Sequence, residues 1–179
     1  EYPLGLFLEI LEDPSGELTI EDVTSQEFSA RFIPSQVEVP NLGFTDSAYW
    51  GRIRLRNESQ FDNDWLLAVG FPKMHYVYLY TQVPGGEGFS VKQSGILRPL
   101  STRDIIHPRI VLNLSIPIQS QQTIYMRFQN SAPMTLALTL WTPNAFWTES
   151  QLELGIYGLF FGILIGVLFY NLFLLFSLR

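Results

Sequence analysis

The chain has 179 residues, a formal net charge of −6 and no cysteine. The acidic balance argues against nucleic acid as a partner, because phosphate recognition needs a basic surface. The missing cysteines exclude disulfides, thiol catalysis and cysteine-type zinc sites. Aromatic residues make up 15% of the chain, which is typical of a folded protein, and the length predicts one domain with a modest additional segment.

Short segments with alternating apolar residues, separated by turn signals, follow one another through the first 142 residues. Thr19 and Asp22 resemble a short capping box, which predicts one helical turn over residues 20–24. Residues 40–47 are predicted to form a loop. Strands are predicted at residues 5–11, 27–33, 49–57, 65–71, 74–81, 89–97, 107–118, 123–130 and 135–142. This succession predicts an all-β fold, an antiparallel sandwich or jelly roll, and disfavours a βαβ fold.

A different segment begins at Leu154. Residues 154–178 contain no charged side chain, and 17 of these 25 residues are Leu, Ile, Val or Phe. As a helix they would extend about 37 Å, which exceeds a bilayer core of about 30 Å. A buried core helix is the alternative, but a soluble helix rarely lacks a polar face. We therefore predict a sandwich domain over residues 1–147, with a linker and one transmembrane helix over residues 148–179.

The charges that flank this helix predict its orientation. Glu149 and Glu153 precede the apolar segment and Arg179 follows it. Positively charged residues favour the cytoplasmic side of a membrane. The C-terminus is therefore predicted to be cytoplasmic, with residues 1–150 outside.

Small residues recur along one face of the same helix. Gly158, Gly162 and Gly166 form two overlapping GxxxG steps, which allow a second helix to approach closely. Asn171 lies off this stripe at membrane depth, where an amide needs a hydrogen-bonding neighbour. We predict that these four residues pack against other membrane helices; a single-pass anchor with incidental glycines is the alternative.

Residues 49–57, YWGRIRLRN, place Trp50 and three arginines on one face of a strand, with Ile53 and Leu55 on the other. The other predicted strands also divide into an apolar face and a face of Trp, Tyr, Arg and amide side chains. Aromatic rings stack on sugars, and guanidinium groups bind hydroxyls or carboxylates in pairs. A carbohydrate-like or small acidic ligand is therefore predicted at Trp50, Arg52, Arg54, Tyr76, Tyr78, Arg109, Tyr125 and Arg127.

Two simpler interpretations of this face remain open. Arginine and tyrosine are common on exposed β-surfaces, where an arginine often lies over a tryptophan ring. Trp50 could also be buried by a segment that crosses the sheet.

Residues 155–179, GIYGLFFGILIGVLFYNLFLLFSLR, resemble the first membrane helix of the bacterial seven-transmembrane receptors with diverse intracellular signalling modules. The preceding 150 residues resemble the type-2 extracellular domain of that group. The matching pieces are LEDPSGELTIEDV (11–23), GFTDSAYWGRIRLRN (43–57), the WLL of 65–71, VYLY (77–80), YMRFQ (125–129) and LWTPNAF (140–146).

The resemblance implies a periplasmic jelly roll, similar to carbohydrate-binding modules, on a protein of the bacterial inner membrane. It also implies six further membrane helices and a cytoplasmic signalling module such as a histidine kinase or a diguanylate cyclase. The predicted function is therefore a ligand sensor, in which residues 141–147 couple the sandwich to the first membrane helix.

Three other functions compete with this one. A calcium sensor could use Asp13 and Glu17 as ligands, although their spacing is not that of an EF-hand. A protein-interaction module could dimerise through a sheet face. An enzyme is not predicted, because neither His75 nor His107 has a metal-ligand spacing and no GxSxG motif occurs. No cofactor is predicted.

Overall fold

The computed structural model describes residues 1–83, 85–86 and 88–178. The chain divides into two compact units, Glu1–Thr142 and Pro143–Arg179. The first unit consists mainly of β-strands and the second is a single helix. The predicted boundary between residues 147 and 148 falls inside that helix.

The described residues form twelve strands and three α-helices. In chain order the strands are β1 Tyr2–Pro3, β2 Glu9–Asp13, β3 Ile33–Pro34, β4 Asn41–Gly43, β5 Ala48–Arg56, β6 Asp64–Val69, β7 Tyr76–Gln82, β8 Phe89–Ser94, β9 Ile110–Ser115, β10 Gln121–Gln129, β11 Met134–Thr135 and β12 Leu138–Trp141. The helices are α1 Ile20–Thr24, α2 Gln26–Ser29 and α3 Pro143–Ser177.

The strands form two main sheets and one small one. The larger sheet has six strands in the order β3-β2-β5-β10-β7-β8, and the second has four in the order β1-β12-β6-β9. Strands β11 and β4 make a separate pair. All the strand pairings are antiparallel. The predicted all-β sandwich with one C-terminal helix is confirmed.

The core of the sandwich lies between the two main sheets. The six-stranded sheet contributes Ile53, Leu79 and Met126, and the four-stranded sheet contributes Leu67 and Leu112; each is at most 1% exposed. These side chains alternate along their strands with residues of the opposite face, as a pleated strand requires. The alternation in the sequence therefore identified the inner face of the sandwich correctly.

The predicted strand over residues 5–11 is wrong in its first half. Gly5–Phe7 form a 3₁₀ turn, and β2 begins only at Glu9. The backbone of Gly5 lies against the carbonyl group of Glu38, so closely that a side chain at this position would collide with it. The turn therefore packs under the 34–39 segment instead of joining the sheet.

The predicted strand over residues 27–33 is also wrong. Ser25 caps helix α2, and only Ile33–Pro34 pair with β2. Phe28 and Phe32, four residues apart, both join an apolar cluster on the sheet below. By contrast, the helical turn predicted over residues 20–24 is confirmed, including its capping box between Thr19 and Asp22.

The last predicted strand, residues 135–142, is divided into β11 and β12. Strand β11 pairs with β4, which lies in the predicted loop 40–47. Leu136, Leu138 and Leu140 are buried as expected, but Trp141, predicted on the outer face, is only 4% exposed.

Helix α3 is 35 residues long, and it begins eleven residues before the predicted apolar span. By length and composition it can cross a membrane, because its central residues are apolar on every side. Arg179, which contributes to the predicted orientation, lies outside the described residues.

Candidate functional site

The outer face of the six-stranded sheet carries seven of the eight predicted ligand residues, because β5, β10 and β7 are neighbours. Arg127 lies between Trp50 and Tyr78 in register, and Tyr125 lies between Arg52 and Tyr80. The eighth residue, Arg109, lies elsewhere, just before β9 of the four-stranded sheet.

This face is not open along its whole length. A second apolar cluster covers its centre, where Ile20 and Val23 of α1 and the nearby Phe32 pack on Trp50 and Tyr125. Trp50 is fully buried and Tyr125 is 9% exposed. The interpretation of Trp50 as an exposed platform is therefore wrong, and burial under a crossing segment is the correct alternative.

Residues 20–32, which lie over the sheet and which we call the covering segment, are linked to it by Arg52. Its Nε atom lies 2.5 Å from Oε2 of Glu9 on the neighbouring strand. Its Nη1 atom donates to the carbonyl oxygen of Ser29 at 3.1 Å and to the Ser29 hydroxyl at 2.7 Å. The guanidinium carbon lies 4.3 Å from the ring centroid of Phe32. Arg52 therefore holds α2 in place and has few donors left for a ligand.

Asp13 closes the turn that precedes α1. Its carboxylate accepts hydrogen bonds from the Ser15 hydroxyl, the Gly16 amide and the Leu18 amide, at 2.7, 2.9 and 3.1 Å. Asp13 is buried, while Glu17 is exposed, and the described residues contain no group of three or more acidic or histidine side chains that could hold a metal. Because calcium needs six to eight oxygen ligands, this turn does not fit a calcium site.

One accessible part of the face is a tyrosine–arginine cluster, which we define as Tyr76, Tyr78, Tyr80, Arg98 and Arg127. The guanidinium carbon of Arg98 lies 5.3 Å from the Tyr76 centroid and 5.7 Å from the Tyr78 centroid. That of Arg127 also lies 5.7 Å from the Tyr78 centroid. The rings of Tyr78 and Tyr80 are stacked at 6.5 Å. Two cations thus lie beside a half-buried ring, an arrangement that cation–π attraction stabilises.

Hydrogen bonds fix the two guanidinium groups of the cluster. Arg98 donates from Nη2 to the Tyr78 hydroxyl at 2.8 Å. Arg127 donates from Nη2 to the Gly16 carbonyl at 2.7 Å and from Nη1 to Oε1 of Gln129 at 3.2 Å. Neither arginine forms an ion pair with a described carboxylate.

Arg98 was not among the predicted ligand residues, because it follows β8 in a stretch predicted to be loop. Gly95 turns the chain back with a φ of +139°, and a side chain at Gly95 would collide with the backbone of His75. The Ile96 amide then donates to the Met74 carbonyl at 3.0 Å. This return places Arg98 over β7. The glycine and the strand at residues 74–81 were both predicted from the sequence, but the contact between them was not.

Burial also affects one tyrosine of the cluster. The Tyr80 ring lies 5.3 Å from the ring of the buried Trp50. This burial raises the pKa of Tyr80 above its usual value of 10.0, because the phenolate form would lose its hydration; the charge of Arg127 opposes the shift. Tyr80 therefore remains a neutral hydroxyl at physiological pH.

The remaining predicted residues lie apart from this cluster. Arg54 is exposed, near the opposite end of β5. On α3, no described atom apart from the neighbouring helix backbone lies within 4 Å of where a side chain would begin at Gly158, Gly162 or Gly166. Asn171 donates from Nδ2 to the Val167 carbonyl at 2.8 Å. Packing of these four residues against other membrane helices stays a prediction.

A β-sandwich followed by a helix that can cross a membrane has the organisation of a membrane-anchored extracellular domain. The chain belongs to the family described as 7TMR-DISM extracellular 2, whose model matches residues 5–142. The resemblance of the separate sequence segments to this family is thereby confirmed. No curated protein sequence matches the chain significantly.

Proposed function

We propose that this domain is the periplasmic sensor of a receptor in the bacterial inner membrane, and that the tyrosine–arginine cluster binds an acidic carbohydrate. The observation that carries the proposal is the position of two guanidinium groups, Arg98 and Arg127, beside the ring of Tyr78. The accessible part of this half-buried ring can stack on the apolar face of a sugar. The neighbouring guanidinium groups can pair with its carboxylate.

The charge of the cluster favours an acidic sugar over a neutral one. Both arginines lack a carboxylate partner among the described residues. A ligand carboxylate would give both guanidinium groups a directly paired negative charge, which makes the hydrogen bonds charge-assisted.

The signal would then leave through α3. Strand β12 ends at Trp141 and α3 begins at Pro143, so Thr142 alone separates sheet from helix in the chain. A ligand that binds one arrangement of the receptor more tightly shifts the population towards it. A histidine kinase or diguanylate cyclase elsewhere in the receptor, outside these 179 residues, would report that shift.

Calorimetry on the full chain in lipid nanodiscs tests the ligand class. Glucuronate should bind, and glucose should bind at least tenfold more weakly. Arg98→Gln should weaken glucuronate binding by at least about tenfold, since a charge-assisted hydrogen bond contributes about 1.5–3 kcal/mol. Arg56→Gln is the matched control, because Arg56 is exposed and its nearest carboxylate is Glu58 at 3.5 Å.

The proposal fails if glucose and glucuronate bind equally, or if Arg98→Gln and Arg56→Gln leave the same affinity. Tyr78→Ala distinguishes ring stacking from simple charge attraction. If stacking contributes, this variant loses affinity for glucuronate although both guanidinium groups remain.

A further inference from the structure

A cavity of about 350 Å³ lies at the opposite end of the same sheet face, beside the 3₁₀ turn Gly5–Phe7. Its apolar wall consists of Leu6, Phe7, Leu8 and Pro34. Leu6 and Phe7 are 51% and 70% exposed, so a large apolar surface is held open to solvent. The volume falls within the range of small-molecule sites, about 300–1,000 Å³.

The polar wall of the cavity consists of Glu9, Arg52, Arg54 and Thr123. Thr123 lies directly opposite Arg54 in register, on the same face of the sheet. Arg52 is engaged by Glu9 and Ser29. Arg54, by contrast, makes no hydrogen bond or ion pair with the residues that the structure describes. Its guanidinium offers a planar set of free donors at the edge of an apolar cavity.

The charges of the lining residues specify the charge of a matching ligand. Arg52 and Arg54 contribute two positive charges and Glu9 contributes one negative charge, which leaves one positive charge. Farther along the strand, Arg56 adjoins Glu58 at 3.5 Å, so this pair adds no net charge. A ligand with a single negative charge therefore balances the cavity, whereas a phosphate dianion would exceed it.

We propose that this cavity is a second binding site, and that it takes a small monocarboxylate with an apolar body. The carboxylate accepts paired hydrogen bonds from Arg54, and the apolar body lies against Leu6 and Phe7. The site is distinct from the tyrosine–arginine cluster, because Arg54 is four residues from Trp50 on β5. That spacing is about 13 Å along a strand, and the buried Trp50 and Tyr125 lie between the two sites.

Benzoate is a suitable probe, since it combines one carboxylate with one ring. Saturation-transfer NMR on the full chain in nanodiscs, corrected with empty nanodiscs, should show binding with a Kd of about 1 mM or lower. Benzamide, the neutral isostere, and phenyl phosphate should each bind at least tenfold more weakly. Arg54→Gln should weaken benzoate binding at least tenfold, whereas Arg56→Gln, one side chain farther along the same face, should not.

Each contrary result overturns the proposal. If benzoate does not bind at 10 mM, the proposed site does not exist. If benzamide binds as tightly as benzoate, the carboxylate charge does not contribute to binding. Tighter binding of phenyl phosphate would assign the cavity to a dianion. Full benzoate affinity in Arg54→Gln would place benzoate elsewhere. Arg98→Gln separates this proposal from the sensor function, because it should weaken glucuronate binding and leave benzoate binding unchanged.

Discussion

The guanidinium carbon of Arg52 on β5 lies 4.3 Å from the ring centroid of Phe32, which follows helix α2. The same side chain is paired with Glu9 and hydrogen-bonded to Ser29. One arginine of the predicted binding face thus joins the sheet to the segment that covers it. Part of the predicted binding face is therefore buried, and it forms one side of the second apolar cluster.

Removing this contact should loosen the covering segment. We expect Arg52→Gln to lower the free energy of unfolding by about 2 kcal/mol, because charge-assisted hydrogen bonds are lost from a largely buried group. Amides of residues 26–32 should exchange faster with deuterium. Arg56→Gln should alter neither quantity. Unchanged exchange over residues 26–32 in Arg52→Gln would show that apolar packing alone holds the segment.

Trp50 should behave as a core residue. Since Trp50 is fully buried, Trp50→Ala should lower the free energy of unfolding by about 3–5 kcal/mol. Urea titration of the full chain in detergent micelles, followed by near-ultraviolet circular dichroism, measures this change. Phe61→Ala is the control, because Phe61 is 89% exposed. A loss similar to that of the control would mean that Trp50 is accessible after all.

Stability should fall at alkaline pH. Burial raises the pKa of Tyr80 above 10.0, and burial also raises that of Tyr49. The folded chain therefore keeps these protons to a higher pH than the unfolded chain does. Their contribution to stability is complete below pH 10 and is lost as pH rises through the folded-state pKa.

The variant Tyr80→Phe isolates one of these groups. Unfolding free energies of the wild type and the variant, measured between pH 8 and 11, should differ by a constant amount below pH 10. Above pH 10 the unfolding free energy of the wild type should fall more than that of the variant. Tyr49 is present in both proteins, so its contribution cancels in the difference. A difference that stays constant up to pH 11 would contradict the raised pKa of Tyr80.

The junction between β12 and α3 should transmit the signal. We expect six Gly/Ser residues inserted between Thr142 and Pro143 to abolish the ligand response of the complete receptor, because a flexible linker cannot transmit a displacement of β12. Ligand affinity of the sandwich should remain unchanged, which calorimetry verifies. The same insertion after Gly85, in an exposed turn, is the control. A full response with the junction insertion would exclude this route.

Features that depend on local or repeating patterns were predictable from the sequence. Ile53, Leu79 and Met126 are buried because successive side chains of a strand point to opposite faces. The capping box of Thr19 and Asp22 forms between residues three positions apart. The membrane helix was predictable from its length and composition, because its own side chains are apolar on every side.

Features that depend on contacts between distant segments were not predictable in this way. Period-two alternation shows that Trp50 and Ile53 point in opposite directions, but not that α1 covers Trp50 as completely as the second sheet covers Ile53. The helix at residues 26–29 forms where Phe28 and Phe32 can pack on that face. Arg98 reaches Tyr78 only because the chain turns back at Gly95.

The sequence by itself therefore determined the fold class, the membrane helix and the division of each strand into two faces, because those depend on the order of side chains along the chain. Only the tertiary structure decided which part of the polar face is accessible. It separated the predicted surface into a buried centre, the tyrosine–arginine cluster and the cavity at Arg54. The reason is physical, because exposure depends on what packs above a side chain. The segment that covers the sheet lies some 20 to 30 residues from Trp50 in the chain and about 100 residues from Tyr125. Sequence periodicity carries no information over such separations.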